Sequence, residues 1–193
     1  QSAKLLSEAN ASINQGYYNP FRYAVETPYP NGLKLGFTPV ELLKTKNDPR
    51  LSVYFNPSES GGIWRGAPVN LGTGQSGARY QIDSLSLVGN FFRSGQFRFN
   101  ILSAAEVSFL KAEVSLFGLG GGGDPQSLFA EGIQKAMKIY NISQSDINAF
   151  LAGPAGTLTG SDEEKLKQII DQKYIALIFQ SDEAWAEYRR TGY

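Results

Sequence analysis

Hydrophobic positions along this 193-residue chain change their period near residue 103. Beyond that point they recur at helical spacing. Ala105, Phe109, Ala112 and Leu116 fall on one face, with Val107, Leu110 and Val114 beside them. Ser103 and Glu106 stand at capping-box spacing. The glycine run 118–123 ends this first helix, and Asp124-Pro125 starts a second. Leu128, Phe129, Gly132, Ile133, Ala136, Met137 and Tyr140 recur along it, and Asn141 closes it. A short helix is predicted over 145–151. Gly153-Pro154 and Gly156 separate it from the longest one, which opens on a second capping box, Ser161 with Glu164. Its expected buried stripe is Leu166, Ile169, Ile170, Tyr174, Leu177 and Ile178. Ser181 or Asp182 then caps a last turn or two carrying Trp185, Tyr188 and Arg189-Arg190.

Ahead of residue 103 the apolar runs are short and irregular. Residues 1–13 read as a helical tail with Ala3, Leu5, Leu6 and Ala9 on one side. Asn, Pro and Gly mark turns at short intervals over 14–37. Thr38-Pro39 opens a short helix through Val40, Leu42 and Leu43, and Asp48-Pro49 stops it. Residues 51–55 alternate weakly and 96–101 cleanly, as short strands do. Residues 60–68 and 72–77 read as loops. The pattern predicts a mainly α fold. A loop-rich, aromatic segment with short helices and strands spans 1–102 and a helical segment spans 103–193, together one domain.

Composition narrows the chemistry. Hydrophobic residues make up 41%, enough for a core, and the eighteen basic and eighteen acidic residues cancel. A neutral chain lacks the basic footprint of a nucleic-acid or anionic-membrane binder. With no Cys and no His, thiolate and Ser-His-Asp catalysis and thiolate or imidazole metal ligation are excluded. No run approaches the roughly 20 apolar residues that span a bilayer. The chain begins at Gln1 rather than Met, which suggests processing or truncation.

Most motifs have a plain structural reading. Gly118 to Gly123 matches G-x-G-x-x-G, yet a helix precedes it where a dinucleotide site needs a strand. It reads as a glycine C-cap and a flexible hairpin between antiparallel helices. Asp162-Glu163-Glu164 and Asp182-Glu183 sit in first turns, where carboxylates complement the helix dipole. Lys111, Lys135, Lys138, Lys165, Lys167 and Lys173 read as solvated helix faces. Arg189-Arg190, beside Trp185, Tyr188 and Tyr193, reads as ion pairs or carbonyl caps locking a terminal helix. The two helices 103–117 and 125–140, with small residues at Ala112, Gly132 and Ala136, look like a tetratricopeptide unit whose stacking partners lie elsewhere.

The aromatic loops are the candidate site. Tyr17, Tyr18, Tyr23 and Tyr29 cluster with Phe21 among Asn and Pro. Trp64 sits between glycines, followed by Arg65, with Asn70 and Gln75 downstream, and the flanking glycines favour an exposed tip for Trp64. Aromatic faces beside amide and guanidinium donors suit a sugar: the ring receives C–H groups while the donors take hydroxyls. The plainer reading is that these rings pin irregular loops onto the helices. A glycosidase would need two carboxylates in a cleft. Only Glu26, Glu59 and Asp83 lie near the aromatic loops, and nothing in their spacing favours that chemistry.

Six short motifs occur in order: Asn19-Pro-Phe21, Asp48-Pro-Arg-Leu51, Ser103-Ala-Ala-Glu-Val-x-Phe-Leu-x-Ala-Glu113, Glu131-Gly-Ile133, Gln172-Lys-Tyr-Ile-Ala-Leu177, and Glu183-Ala-Trp-x-Glu-Tyr-Arg-Arg-Thr-Gly-Tyr193. Together they resemble the SusD/RagB family, surface glycan-binding lipoproteins of Bacteroidetes nutrient uptake. The resemblance implies tetratricopeptide-type helix pairs supporting a loop-rich face. It implies capture of an oligosaccharide or other nutrient without catalysis or cofactor, and a SusC-like TonB-dependent transporter as partner. It places the protein at the outer membrane, through an N-terminal lipidated cysteine absent from this chain. Family members are usually more than twice as long, so the chain is expected to be part of a longer one. The motifs transfer no ligand residue; Trp64, Arg65, Asn70 and the tyrosines rest on their own chemistry. The competing reading is a helical protein–protein scaffold with no ligand.

Overall fold

The computed structural model describes residues 3–5, 34, 36–68, 82–93, 99–120 and 122–193. The chain forms two compact units, residues 100–193 with 1–5, and residues 6–99. The fold is mainly helical, with eight α-helices and four short strands among the described residues.

In the unit carrying residues 100–193, strand β1 (Ala3–Leu5) pairs with β4 (Phe99–Leu102). The expected N-terminal helix is therefore a strand where it is described. A few apolar residues at helical spacing have little intrinsic preference, and pairing with a partner strand overrides it. Helices α4 (Ala104–Leu116) and α5 (Pro125–Ile139) follow. Ser103 caps α4 by accepting the Glu106 N–H at 3.0 Å, and Asp124 caps α5 by accepting that of Ser127 at 2.8 Å. At the end of α4, Gly118 takes φ 68°, Leu119 N–H donates to Val114 O and Gly118 N–H to Ser115 O. That is a complete Schellman closure, so the glycine run is a helix stop and hairpin.

Packing brings the two helices together. Phe109 and Phe129 meet edge-on at 6.2 Å. A Cβ on Gly132 would lie 2.6 Å from the Phe109 ring, so glycine is what lets this ring rest on the α5 backbone. Ala105, Ala112, Ile133, Ala136 and Met137 extend the core to α6 (Gln144–Leu151), through Ile147 and Phe150, and to α7 (Asp162–Ala176), through Ile169. The capping box of Ser161 and Glu164 forms in full.

Helix α8 (Ser181–Thr191) is longer than the turn or two expected, has no side-chain cap at Gln180 and buries none of its residues. Polar contacts hold it. Arg190 forks onto Glu113 at 2.5 and 2.7 Å and also reaches Glu187; Gln180 donates to Ile101 O at 3.1 Å. Lys173, expected on a solvated face, is instead 2% exposed and pairs with Glu187 at 3.0 Å. Helical periodicity does not reveal a lysine whose partner lies on another helix. Burial opposes ionisation of Glu187, but hydrogen bonds from Arg190 and Lys173 outweigh it and hold the carboxyl below its usual range. Burial pushes the Glu106 carboxyl up, with Lys173 opposing and Glu183 adding.

In the unit spanning 6–99, α1 (Phe37–Thr45) has Lys46 as its C-cap and is followed by Asn47, with φ 49°. Asp48 and Arg50 are fully buried and paired through two side-chain bonds, at 2.9 and 2.5 Å. Residues 51–54 form α2 (Leu51–Tyr54) rather than a strand; only Phe55–Asn56 is extended, as β2. Asp48 Oδ1 accepts the Arg50 N–H at 2.9 Å and Asp48 O that of Leu51, which starts a helical turn that weak alternation cannot foresee. Strand β2 pairs antiparallel with β3 (Leu87–Val88). Tyr54 packs on Phe92 of α3 (Asn90–Arg93) at 5.7 Å.

Candidate functional site

Helix α1 and the loop 62–68 enclose an open cavity of about 750 Å³ within the second unit. The helix supplies Phe37, Glu41 and Lys44, at i, i+4 and i+7 on one face. The loop supplies Ile63, Trp64, Arg65 and Pro68 from the facing side.

Buried serines hold the loop. Ser58 N–H donates to Ile63 O at 2.8 Å, and Ser58 Oγ accepts the Ile63 N–H at 3.2 Å. Further on, Ser86 Oγ accepts the Arg65 N–H at 2.9 Å, and Ser86 N–H donates to Arg65 O at 2.8 Å. Phe37 N–H then donates to Ala67 O at 2.8 Å, tying the loop to the first turn of α1. Gly66 permits that closeness: a Cβ there would stand 2.5 Å from Gly36 O and Phe37 Cα.

The walls are apolar and the polar groups few. The Phe37 ring is 50% exposed and Ile63 42%. Glu41 and Lys44 form an ion pair at 2.8 Å. The Arg65 side chain is exposed and makes no hydrogen bond or ion pair among the described residues. Trp64 is half-buried, not at an exposed tip; its Nε1 is enclosed and makes no hydrogen bond among the described residues. The exposed positions around it are Gly61, Gly62, Ile63 and Arg65. Close to the same loop system, burial pushes the Lys34 ammonium down against the pull of Glu59 and Asp83, and its Nζ donates to Leu85 O at 3.4 Å.

Of the candidate ligand residues, the structure brings Trp64 and Arg65 to one cavity. Tyr17, Tyr18, Tyr23, Tyr29 and Asn70 lie outside the described residues. Phe37, Glu41 and Lys44 were missed. Their signal was the spacing of an apolar and two charged residues on the outer face of a helix whose inner face is Val40 and Leu43. Glu59 and Asp83 are exposed. The volume is that of a small-molecule site, and apolar walls with few convergent polar groups suit a ligand with one apolar face and several hydroxyls.

These features define a mainly helical protein built on tetratricopeptide-like helix pairs, with a loop-walled cavity. The chain belongs to the SusD-like family: the family described as "SusD-like_2: Starch-binding associating with outer membrane" matches residues 10–193. Among solved structures, a SusD homolog from Bacteroides fragilis NCTC 9343 superposes with TM-score 0.83 at 23% identity, over 100% of this chain and 45% of its own. A chitin-binding SusD homolog from Flavobacterium johnsoniae gives TM-score 0.80 at 25% identity, over 100% of this chain and 42% of its own. A SusD homolog from Bacteroides uniformis ATCC 8492 gives 0.73 at 26% identity, over 98% of this chain and 44% of its own. The chain thus spans less than half the length of each of these relatives. No protein of curated function matches it.

Proposed function

We propose that the protein binds an oligosaccharide at the outer-membrane surface, without catalysis or a cofactor, and passes it to a TonB-dependent transporter. The carrying observation is the open cavity lined by the half-exposed Phe37 ring and Ile63 together with Arg65, whose guanidinium makes no hydrogen bond or ion pair among the described residues. That arrangement offers an apolar platform to a pyranose and a forked donor to its hydroxyls. Membership in a family described as starch-binding, and likeness to a chitin-binding relative, support a polysaccharide as ligand. The transporter and the lipid anchor are proposed from the family resemblance alone.

Affinity electrophoresis through gels containing starch, soluble chitin derivatives and other polysaccharides tests the reading. One glycan should retard the chain. Phe37→Ala should weaken retardation by about 1–3 kcal/mol, the range of a lost stacking ring by analogy with bases on aromatics. A folded chain that no glycan retards would overturn this reading and favour a helical scaffold.

A further inference from the structure

We infer that the ligand of this cavity is an acidic saccharide, a uronic-acid sugar whose carboxylate seats on the Arg65 guanidinium. This rests on the glycan reading above and narrows it from sugars in general to one class.

The donors and acceptors on the cavity wall carry the inference. Arg65 lines the cavity with an exposed side chain that makes no hydrogen bond or ion pair among the described residues. A guanidinium only donates, from five N–H groups in a rigid fork. Lys44 Nζ, the other cation on the wall, gives one bond to Glu41 Oε1 at 2.8 Å and keeps further protons to offer. The acceptors are already engaged. That bond occupies the carboxylate of Glu41, the one acidic side chain on the wall among the described residues. Of the loop carbonyls, Ile63 O accepts from Ser58 N–H, Arg65 O from Ser86 N–H and Ala67 O from Phe37 N–H, each at 2.8 Å. The described wall thus holds two cations against one anion, in a chain of zero formal net charge.

A neutral pyranose does not match that inventory. Each of its hydroxyls carries a proton that needs an acceptor, and a buried one left without a partner weakens binding. A carboxylate needs only donors. It meets a guanidinium through two parallel N–H···O bonds, a geometry that a single hydroxyl cannot use. The half-exposed Phe37 ring and Ile63 supply the apolar wall for the sugar ring that bears it.

Affinity electrophoresis through polygalacturonate, alginate and hyaluronan, each also with its carboxyls reduced to alcohols, tests this. Starch, glycol chitin and carrageenan, whose anion is a sulfate ester, run alongside. Arg65 is held by its backbone, through Ser86, so the side chain can be changed without releasing the loop. Arg65→Lys keeps the charge and removes the fork; Arg65→Gln removes both. One uronate polymer should bind at least about tenfold more tightly than its reduced form, the usual size of a hydrogen-bonded charge. Both variants should lose that preference. Equal retardation by acid and reduced polymers, or retardation by starch or chitin alone, would overturn the acidic class and leave the glycan reading standing. Retardation by carrageenan alone would overturn the carboxylate. A preference kept by Arg65→Lys would be diffuse charge attraction and would overturn the role of the fork. A folded protein that no polymer retards would overturn the glycan reading and this inference together. Circular dichroism checks that each variant is folded; if one is not, the acid and reduced polymers on the unaltered protein decide.

Discussion

Gly66 sits where the loop carrying Trp64 and Arg65 passes the first turn of α1, and the loop cannot close with a side chain there. Gly66→Ala should cost about 1–3 kcal/mol, the usual range for overpacking, seen as a lower denaturation midpoint, and should weaken saccharide binding in parallel. Glu106 gives a prediction in pH. Its carboxyl holds a proton more tightly folded than unfolded, chiefly because it is buried. Its contribution is therefore favourable at acid pH, and stability falls as pH rises from the ordinary glutamate range through the raised folded value. Glu187, held low, works oppositely: its contribution is present above the ordinary glutamate range and is lost as pH falls below it. Glu106→Gln should raise the denaturation midpoint at neutral pH and leave it little changed in acid. An unchanged midpoint at neutral pH would contradict the assignment. Single residues were the least legible part of the sequence. Asp48 and Arg50 were visible as part of a motif, yet nothing local said that they form a fully buried pair, because burial is decided by what packs above them.

At the scale of elements, α4 shows what periodicity reveals and where it stops. Its boundaries were readable because Ser103, Gly118 and the spacing of Ala105, Phe109 and Ala112 act within a few residues. The same held for α5 and α7, whose caps are also local. Which apolar side faces the core was not readable, since Val107, Leu110 and Val114 are as hydrophobic as the buried set. The two faces should respond differently in this chain. Phe109→Ala should cost about 3–5 kcal/mol, as large-to-small core substitutions of aromatics do. Val114→Ala should change stability by less than about 0.5 kcal/mol, as exposed substitutions do. Chemical denaturation of both variants checks the contrast. The two errors have different causes, pairing across the chain in the first and local backbone bonds in the second. Residues 3–5 form a strand through β4, and residues 51–54 turn helical through backbone bonds to Asp48 and Arg50.

For the molecule as a whole, the mainly helical fold and the family were both legible from motifs spread over the chain. The cavity was legible only in part. Trp64 and Arg65 stood out by residue type, while Phe37, Glu41 and Lys44 became a wall only once α1 was set against the loop. Two tryptophans make a direct test possible. Trp185→Phe leaves Trp64 as the single indole, on the wall of the cavity. Titrating that variant with the oligosaccharide that retards the chain should shift Trp64 emission saturably, with the dissociation constant found by calorimetry. Emission that stays constant while calorimetry reports saturation would place the sugar elsewhere and contradict the account.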